Sequence, residues 1–569
     1  MFSLPLREPV TPSSLTPSAL SPAPEDFKLR TLAQDAGVAL VIQILGIILL
    51  YVVQVTLAQW MGGVQYGIYQ YVISWSALLG LPAGLGFPRA VLRLFAEYRV
   101  KQDWGRLRGI ARSSWWLTVG ASLGLAAIAA VLVLVINYSH PFAYAVPLLM
   151  GLGLIPLQAL LQLQLSTARA MKDVTLAYAP SRILWPVVTL CGGYGLLAQM
   201  GQVTGISMVA ISTLALTLVL GFQLGLMFQR FNDQVEPAPA IYMNRVWLGI
   251  SVVLLIQQAF ATILNQTDVI MVGSFVGPEA AGIYSASVKT GLWVSFVLQT
   301  VNMVAAPAFA TLYAQKDMAG LQRVVSQVTL WIFWPSMAIA AILLIWTEPI
   351  LGIFGPSFVA ANWWLKVLVV GQLVNALCGS VGSVVIMTGY QNQSAHIFGY
   401  SALLNVGLNF LAIPTLGAVG AAIATSITVV IWNLWLSQLV VREVGIHCSI
   451  FYALRHRRDG DDGAALEGAT IGPGVTESVA AESIATEASA TEAVATEASA
   501  TEASATEASA TEASATEASA TEPSATEASA TEPSATEPSA STIVPDVPDS
   551  PATATETPPA DANPSDPDA

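Results

Sequence analysis

The sequence predicts an all-α membrane protein with about twelve transmembrane helices, in two six-helix bundles around a central cavity. Of its 569 residues, 54% are hydrophobic and only 11% are charged, whereas soluble domains carry about 25% charged residues. The apolar residues fall in long runs between residues 36 and 440. Nearly all basic residues lie in alternate loops between these runs, which is typical of a multi-pass membrane protein.

The apolar runs give twelve candidate spans, because about 20 residues rising 1.5 Å each cross about 30 Å of hydrocarbon. The spans form two sets of six. They lie at about 37–58, 67–87, 113–136, 143–168, 178–198 and 206–228, and at about 247–273, 280–300, 327–346, 363–388, 396–413 and 417–440.

The distribution of Lys and Arg supports this count. With the N-terminus in the cytoplasm, the cytoplasmic segments hold 21 of the 23 basic residues, and the outer loops hold none. The other two, Lys289 and Lys366, lie within spans. We therefore expect a protein of the inner (cytoplasmic) membrane with both termini in the cytoplasm.

The chain divides into five segments by composition. The last one contains 23 of the 37 Asp and Glu residues and repeats of Thr-Glu-Ala-Ser-Ala, which offer no large apolar residue to bury. We expect this acidic tail to be disordered, like the Pro-rich N-terminal leader. The segments are a leader (1–35), a first bundle (36–230), a cytoplasmic linker (231–245), a second bundle (246–445) and the tail (446–569).

The two bundles carry a weak internal repeat. Gly67-Ile68-Tyr69 opens the second span and Gly282-Ile283-Tyr284 opens the eighth, 215 residues later. Each motif follows a short turn that contains glycine. Parallel repeats of this kind are common in transporters, which place their binding site between the repeats.

Several short motifs follow one another in a distinctive order along the two bundles. They are Tyr66-Gly67-Ile68-Tyr69, Gly84-Leu85-Gly86-Phe87-Pro88-Arg89, Asp268-Val269-Ile270-Met271-Val272-Gly273, Met387-Thr388-Gly389-Tyr390-Gln391, Asn405-Val406-Gly407-Leu408-Asn409 and Gly417 to Thr425. In this order they resemble the motifs of bacterial polysaccharide and O-antigen flippases, a branch of the multidrug/oligosaccharidyl-lipid/polysaccharide exporter superfamily. The resemblance covers roughly residues 36–445 and rests on the order of the motifs rather than on any single one.

This resemblance implies a flippase rather than an enzyme. The expected substrate is a polyprenyl-pyrophosphate-linked oligosaccharide for polysaccharide or lipopolysaccharide (O-antigen) biosynthesis, moved from the inner to the outer leaflet by alternating access. The resemblance implies no metal and no organic cofactor. We expect contacts with membrane lipid and none with nucleic acid, and a polysaccharide polymerase or glycosyltransferases are candidate partners.

Charged residues inside spans cost about 2.5–3.5 kcal/mol on insertion scales and are therefore candidates for function. Lys289 lies about ten residues into the eighth span, near mid-bilayer. Asp268 lies in the seventh span, within a cluster of polar residues. Because the two spans are consecutive, Asp268 is a candidate ion-pair partner of Lys289, or a site of coupling to a cation.

Arginines at the cytoplasmic ends of spans are candidates for binding the pyrophosphate. Arg89 and Arg93 share a helix face at i and i+4, and Arg182 lies near the same depth at the fifth span. Guanidinium groups give bidentate hydrogen bonds to phosphate. The alternative is that these residues serve only to set the topology.

The remaining patterns exclude several classes of site. Three cysteines (Cys191, Cys378 and Cys448) show no metal or disulfide spacing, and four scattered histidines form no metal motif. There is no phosphate-binding Gly-Lys loop and no nucleophile elbow.

Two alternative functions stay open. A cation-coupled drug or metabolite exporter of the same superfamily would be expected to carry acidic residues in its first span, and residues 36–66 contain none. A membrane enzyme of polysaccharide assembly often has a large outer loop, and the outer loops here are short.

Overall fold

The computed structural model describes residues 29–459, with side chains placed for residues 41–455 except residue 257. The described residues form helices and no strand. The N-terminal half contains α1 (Leu29–Ala83), α2 (Phe87–Val100), α3 (Trp104–Ser139), α4 (Ala145–Gly151), α5 (Leu154–Ala170), α6 (Val174–Ala179), a π-helix (Pro180–Leu184), α7 (Trp185–Met200) and α8 (Gly205–Gln234).

The C-terminal half continues with α9 after a short extended linker. It contains α9 (Asn244–Phe275), α10 (Pro278–Ala314), α11 (Met318–Ile345), α12 (Thr347–Gly352), a 3-10 helix (Pro356–Ala361), α13 (Asn362–Cys378), α14 (Val381–Met387), α15 (Gln391–Leu416), α16 (Ala418–Glu443) and α17 (Ile450–Asp459).

Ten described helices are long and apolar enough to cross a membrane, and the bent helix α9 makes eleven. The first of them covers 43 residues, Val41–Ala83, which at 1.5 Å per residue is about twice the hydrocarbon thickness. Its backbone leaves the helical conformation at Gly62, with φ 70° and ψ 173°. We call residues 29–61 and 63–83 the first and second limbs of α1. Counting each limb as a span gives twelve, so the predicted fold class is confirmed.

The helices end at two opposite faces. We call the face with the turns at residues 101–103, 171–173 and 315–317 the basic end, because the Arg- and Lys-rich loops lie there, and the other face the opposite end. At all three turns an aspartate caps the next helix with its carboxylate. Asp103 accepts from the backbone N–H of Arg106, Asp173 from that of Leu176 and Asp317 from that of Gly320.

The three caps share one type of turn. Each aspartate follows a residue with positive φ: Gln102 at 53°, Lys172 at 61° and Lys316 at 58°. Asp103 and Asp317 open the third and ninth spans, which are equivalent positions of the two halves, whereas Asp173 precedes the fifth span. The turn is therefore a general connection at the basic end and occurs in both halves.

Two predicted boundaries are wrong. Helix α1 begins at Leu29 rather than at residue 36. Residues Ile450–Asp459, assigned to the disordered tail, form α17, and the segment before it is docked: Ile446, Cys448 and Ile450 are each 1% exposed. The predicted disorder of residues 1–28 and 460–569 lies outside the described residues.

Helix α9 contacts both halves. It bends by 43° between Asn244–Ile256 and Gln258–Phe275. Its first segment packs on the N-terminal half, where the Trp247 indole N–H donates to the Tyr98 hydroxyl at 2.9 Å. Its second segment packs within the C-terminal half through Asp268, described below.

The halves also meet closely at the opposite end. The Tyr71 hydroxyl lies 3.0 Å from that of Ser274, and the Tyr144 hydroxyl donates to the Gly273 carbonyl at 3.0 Å. The rings of Tyr71 and Tyr144 stack with centroids 4.0 Å apart. In this conformation the opposite end is therefore closed between the halves.

Candidate functional site

Lys289 lies on α10 at the boundary between the two halves. Its ammonium donates to Oε1 of Gln54 at 2.6 Å and to Oε1 of Gln70 at 2.8 Å. Gln54 belongs to the first limb of α1 and Gln70 to the second. The one cation of α10 therefore joins three spans and connects the C-terminal half to the N-terminal half.

The groups around Lys289 are polar but uncharged. Oε1 of Gln54 also accepts from Nε2 of Gln70 at 2.6 Å and from the Tyr66 hydroxyl at 2.9 Å. The Tyr66 ring centroid lies 5.9 Å from the Lys289 ammonium, within the range of a cation–π contact. No carboxylate forms an ion pair with Lys289 in the described part of the chain.

The expected ion pair between Lys289 and Asp268 is not formed. Asp268 is buried inside the C-terminal half, where its carboxylate accepts from Nδ2 of Asn409 at 2.7 Å and from the hydroxyl of Thr425. The Tyr284 hydroxyl donates to it at 3.3 Å. The helix face that carries Asp268 turns toward α15 and α16, so consecutive spans do not bring the two charges together.

Asp268 and its neighbours form an oxygen-rich cluster from four spans. Asn409 donates to Oδ1 of Asn405 at 3.1 Å as well as to Asp268. Its own Oδ1 is buried without a hydrogen-bond partner among the described residues. One carboxylate with amide and hydroxyl oxygens suits a proton or a monovalent cation, since hard cations prefer oxygen ligands. The described residues contain no group of three or more His, Cys, Asp and Glu side chains that would hold a metal ion.

Arg182 lies on the π-helix that interrupts the fifth span. A π-helix is rare and often marks a functional position in a helix. The Arg182 side chain packs on the first limb of α1, where a Cβ added to Gly46 would lie 2.7 Å from the Arg182 Cβ. Its guanidinium has no hydrogen bond or ion pair to another described side chain.

Arg89 and Arg93 both lie on the amphipathic helix α2 at the basic end. The buried face of α2 contains Phe87, Val91 and Leu94. Arg89 is exposed and Arg93 is partly buried, so the two predicted arginines do share the polar side of one helix.

The sequence interpretation missed Gln54, Gln70 and Tyr66. It weighed only ionisable groups inside spans, and an amide carries no charge. Glutamines spaced 16 residues apart on either side of a Gly-Gly turn nevertheless predict a contact between the two amides. Two spans joined by a tight turn are antiparallel neighbours, so residues equally far from the turn come level with each other.

Two family models match the chain. The model for polysaccharide biosynthesis proteins matches residues 32–313, and the model of the MatE family matches residues 254–411. The inward-facing conformation of a multidrug resistance MATE family transporter of the MOP superfamily superimposes with a TM-score of 0.52, over 73% of this chain and 100% of that one. These matches place the chain in the multidrug/oligosaccharidyl-lipid/polysaccharide (MOP) exporter superfamily, with residues 32–313 similar to the polysaccharide biosynthesis proteins and residues 254–411 to the MatE family.

The other comparisons concern the fold of this MOP protein. The outward-facing conformation of a multidrug resistance MATE transporter aligns with a TM-score of 0.51, over 76% of this chain and 96% of that one. A MOP superfamily transporter from Pyrococcus furiosus, described as having a binding pocket of reverse polarity, aligns with a TM-score of 0.50 over 72% of this chain and 96% of that one. Identity is 12% in all three cases, so the likeness shows the fold alone. No curated protein sequence matches the chain significantly.

Membership identifies the protein as a multi-pass membrane transporter, since both matched families consist of transporters rather than enzymes. In this MOP protein the polar groups between the halves centre on Lys289, and the buried carboxylate lies apart from them in the C-terminal half.

Proposed function

We propose that this MOP protein is a flippase for a polyprenyl-pyrophosphate-linked oligosaccharide. It would move the substrate from the inner to the outer leaflet of the cytoplasmic membrane for polysaccharide or O-antigen biosynthesis. The observation that supports this most directly is Lys289, a cation inside a span that binds two neutral amides rather than a carboxylate.

A buried cation without a counter-ion is suited to binding an anion. Transferring an ammonium group into the bilayer centre is costly unless polar partners satisfy it. The amide oxygens of Gln54 and Gln70 satisfy the hydrogen bonds but leave the positive charge uncompensated. A phosphate oxygen offers both a hydrogen-bond acceptor and the opposite charge, so it replaces an amide oxygen favourably.

The arginines at the basic end fit the start of the path. Arg89 and Arg93 would bind the pyrophosphate there first, and Arg182 would bind it next, farther along the path toward Lys289. Arg182 packs at Gly46, eight residues before Gln54 on the same limb, which is about 12 Å along the helix. The polyprenyl chain would stay in the bilayer while the sugars pass between the halves.

Transport requires the halves to separate at the opposite end. The closed contacts among Tyr71, Tyr144 and Ser274 would break as the halves rock about the substrate. The Asp268 cluster would couple this motion to a proton or cation, because its ligands come from α9, α10, α15 and α16 and its geometry changes if those spans shift. The basic end would face the cytoplasm, where glycosyltransferases and a polymerase are candidate partners.

Flipping of a fluorescent lipid-linked oligosaccharide in reconstituted vesicles tests this function. We expect Lys289→Ala to reduce the rate at least tenfold, and Arg89→Ala or Arg182→Ala to raise the substrate concentration needed for half-maximal rate. The matched control is Lys366→Ala, since Lys366 lies on α13 with its ammonium 5.2 Å from the Trp363 ring. Wild-type rates in Lys289→Ala would contradict the proposal.

Export of small organic molecules coupled to a cation is a second candidate function. The Asp268 cluster favours it, because a buried carboxylate with oxygen neighbours is suited to cation coupling. The two functions separate in cells: an exporter restores drug resistance in an efflux-deficient strain, whereas loss of a flippase makes the lipid-linked precursor accumulate on the cytoplasmic side.

A further inference from the structure

Three aromatic side chains beside Lys289 play no part in the site described so far, and one of them, Tyr51, also meets the ring of the buried Phe354 with centroids 5.7 Å apart. The rings of Tyr51 and Trp293 meet edge to face, with centroids 5.3 Å apart and planes at 85°. The ring of Phe296 lies 5.7 Å from that of Trp293. We call Tyr51, Trp293 and Phe296 the aromatic shelf.

The shelf is built from both halves. Tyr51 belongs to the first limb of α1, and its hydroxyl lies 3.2 Å from that of Thr290 on α10. Trp293 and Phe296 follow Lys289 at i+4 and i+7 on α10, so all three side chains lie on one helix face. That face also contacts the N-terminal half, through Gln54 and Gln70. The shelf therefore lies between the halves, next to Lys289 on the side of the basic end.

Trp293 stands at an unusual depth. Tryptophan in membrane proteins is enriched at the headgroup level. Trp293 lies 15 residues after Pro278, about 22 Å along α10 and well inside the hydrocarbon thickness. The rings of all three shelf residues are only partly buried, and no described side chain accepts a hydrogen bond from the Trp293 indole N–H.

We propose that the aromatic shelf binds the sugar ring attached directly to the pyrophosphate. A pyranose presents a face of C–H groups that packs on an aromatic ring, and its hydroxyls accept from an indole N–H or bond to a phenol. Trp293 lies four positions after Lys289, which is about 6 Å along the helix. That spacing lets Lys289 hold a phosphate while Trp293 covers the neighbouring ring.

This inference rests on the proposed function and adds selectivity to it. Lys289 binds the phosphate, which is present with or without sugar. The shelf binds only the sugar, so a glycosylated carrier binds more tightly than the bare carrier. A flippase with this subsite carries less of the bare polyprenyl pyrophosphate back to the inner leaflet and transports the glycosylated carrier preferentially.

Binding to the full chain in lipid nanodiscs tests the subsite with two probes. One is polyprenyl pyrophosphate, and the other is the same lipid with one N-acetylglucosamine attached. We expect Trp293→Ala to weaken binding of the glycosylated probe about tenfold, which is about 1.4 kcal/mol, and to change binding of the bare probe less than twofold. Trp293→Phe should retain most of the affinity, because a ring remains.

The controls separate this inference from the proposed function. Lys289→Ala should weaken both probes, and Trp331→Ala, which removes an exposed tryptophan from α11, should weaken neither. Retained binding of the bare probe shows that Trp293→Ala is folded. Equal effects of Trp293→Ala on both probes, or none on either, overturn the sugar subsite while the proposed function stands. Failure of the wild-type protein to bind either probe overturns both.

Discussion

Gly67 and Gly282, the first residues of the repeated Gly-Ile-Tyr motif, lie against each other across the boundary between the halves. A Cβ added to Gly282 would come within 2.7 Å of the Gly67 nitrogen, and one added to Gly67 within 1.7 Å of the Pro278 carbonyl oxygen. The backbones of α1 and α10 therefore touch at the opposite end. In lipid, such close approach of small residues is a main source of helix association.

Gly67→Ala should prevent the opposite end from closing as described, because the new methyl group overlaps the backbone of α10 and no flexible side chain is there to yield. We expect a shift of at least tenfold toward conformations open at this end. Spin labels placed on the two halves would report it as longer distances.

The control for this substitution is Gly195→Ala, since Gly195 on α7 has open space around its Cβ position. Distances that are unchanged in Gly67→Ala would show that the glycine contact does not hold the closed conformation. Gly282→Ala should act in the same direction, as both glycines belong to one contact.

Gln54→Glu should inhibit transport by giving Lys289 an internal counter-ion. The amide oxygen of Gln54 lies 2.6 Å from the ammonium, so a carboxylate there would form an ion pair across the halves and compete with the substrate phosphate. We expect the flipping rate to fall at least tenfold, an increase of about 1.4 kcal/mol in the barrier.

The matched control is Gln65→Glu, which adds the same charge to α1 and keeps an oxygen that accepts from the Gly205 backbone N–H. It should flip at a rate close to that of the wild type. If Gln54→Glu retains full activity, Lys289 does not exchange its amide partners for an anion during transport.

The sequence predicted the spans because these follow from length and rise per residue. It did not predict the partners of Lys289, because these depend on which way each helix face turns. Asp268 is close to Lys289 along the chain, yet it faces Asn409 and Thr425 on later spans.

Two other features, the π-helix around Arg182 and helix α17, could not be predicted from the spacing of apolar residues. The π-helix around Arg182 contains Pro180, Ser181 and Arg182, but these residue types occur in α-helices too and do not by themselves predict a π-helix. Helix α17 is short and followed by the acidic repeats, and composition assigned both to one segment. Its position depends instead on tertiary contacts, such as the hydrogen bonds between Gln322 and the backbone of His447.

Cys448 should resist alkylation, because burial raises the pKa of its thiol to about 12. Only the thiolate reacts, and its fraction falls tenfold for each pH unit below the pKa. At pH 8 about one Cys448 side chain in ten thousand is ionised. In a variant that lacks the exposed Cys191 and the buried Cys378, we expect maleimide labelling of Cys448 to stay negligible up to about pH 9 in the folded protein and to become rapid after denaturation.

His447→Cys provides the reference for this measurement in a Cys448→Ser background. His447 is exposed, and its contacts to Gln322 involve only the backbone, so the new thiol should label readily. Equal labelling rates for the two positions would show that the segment before α17 is not docked on α11. Gln322→Ala should accelerate labelling of Cys448 by removing two of the hydrogen bonds that hold this segment.

Asp268→Asn should uncouple transport from its driving ion. Asparagine has the shape of aspartate: its oxygen can still accept from Asn409 while its NH2 group donates to the Thr425 hydroxyl, so the fold should tolerate it, but it lacks the negative charge that attracts a proton or a monovalent cation. In vesicles with an imposed proton or sodium gradient, we expect the wild-type rate to rise severalfold and the variant rate to stay the same with either gradient. Glu279→Gln is the matched control, because Glu279 is an exposed carboxylate in the first turn of α10 and should leave the response unchanged. A gradient response that persists in Asp268→Asn would assign coupling to another group and leave Asp268 as a polar contact that holds α9 against α15 and α16.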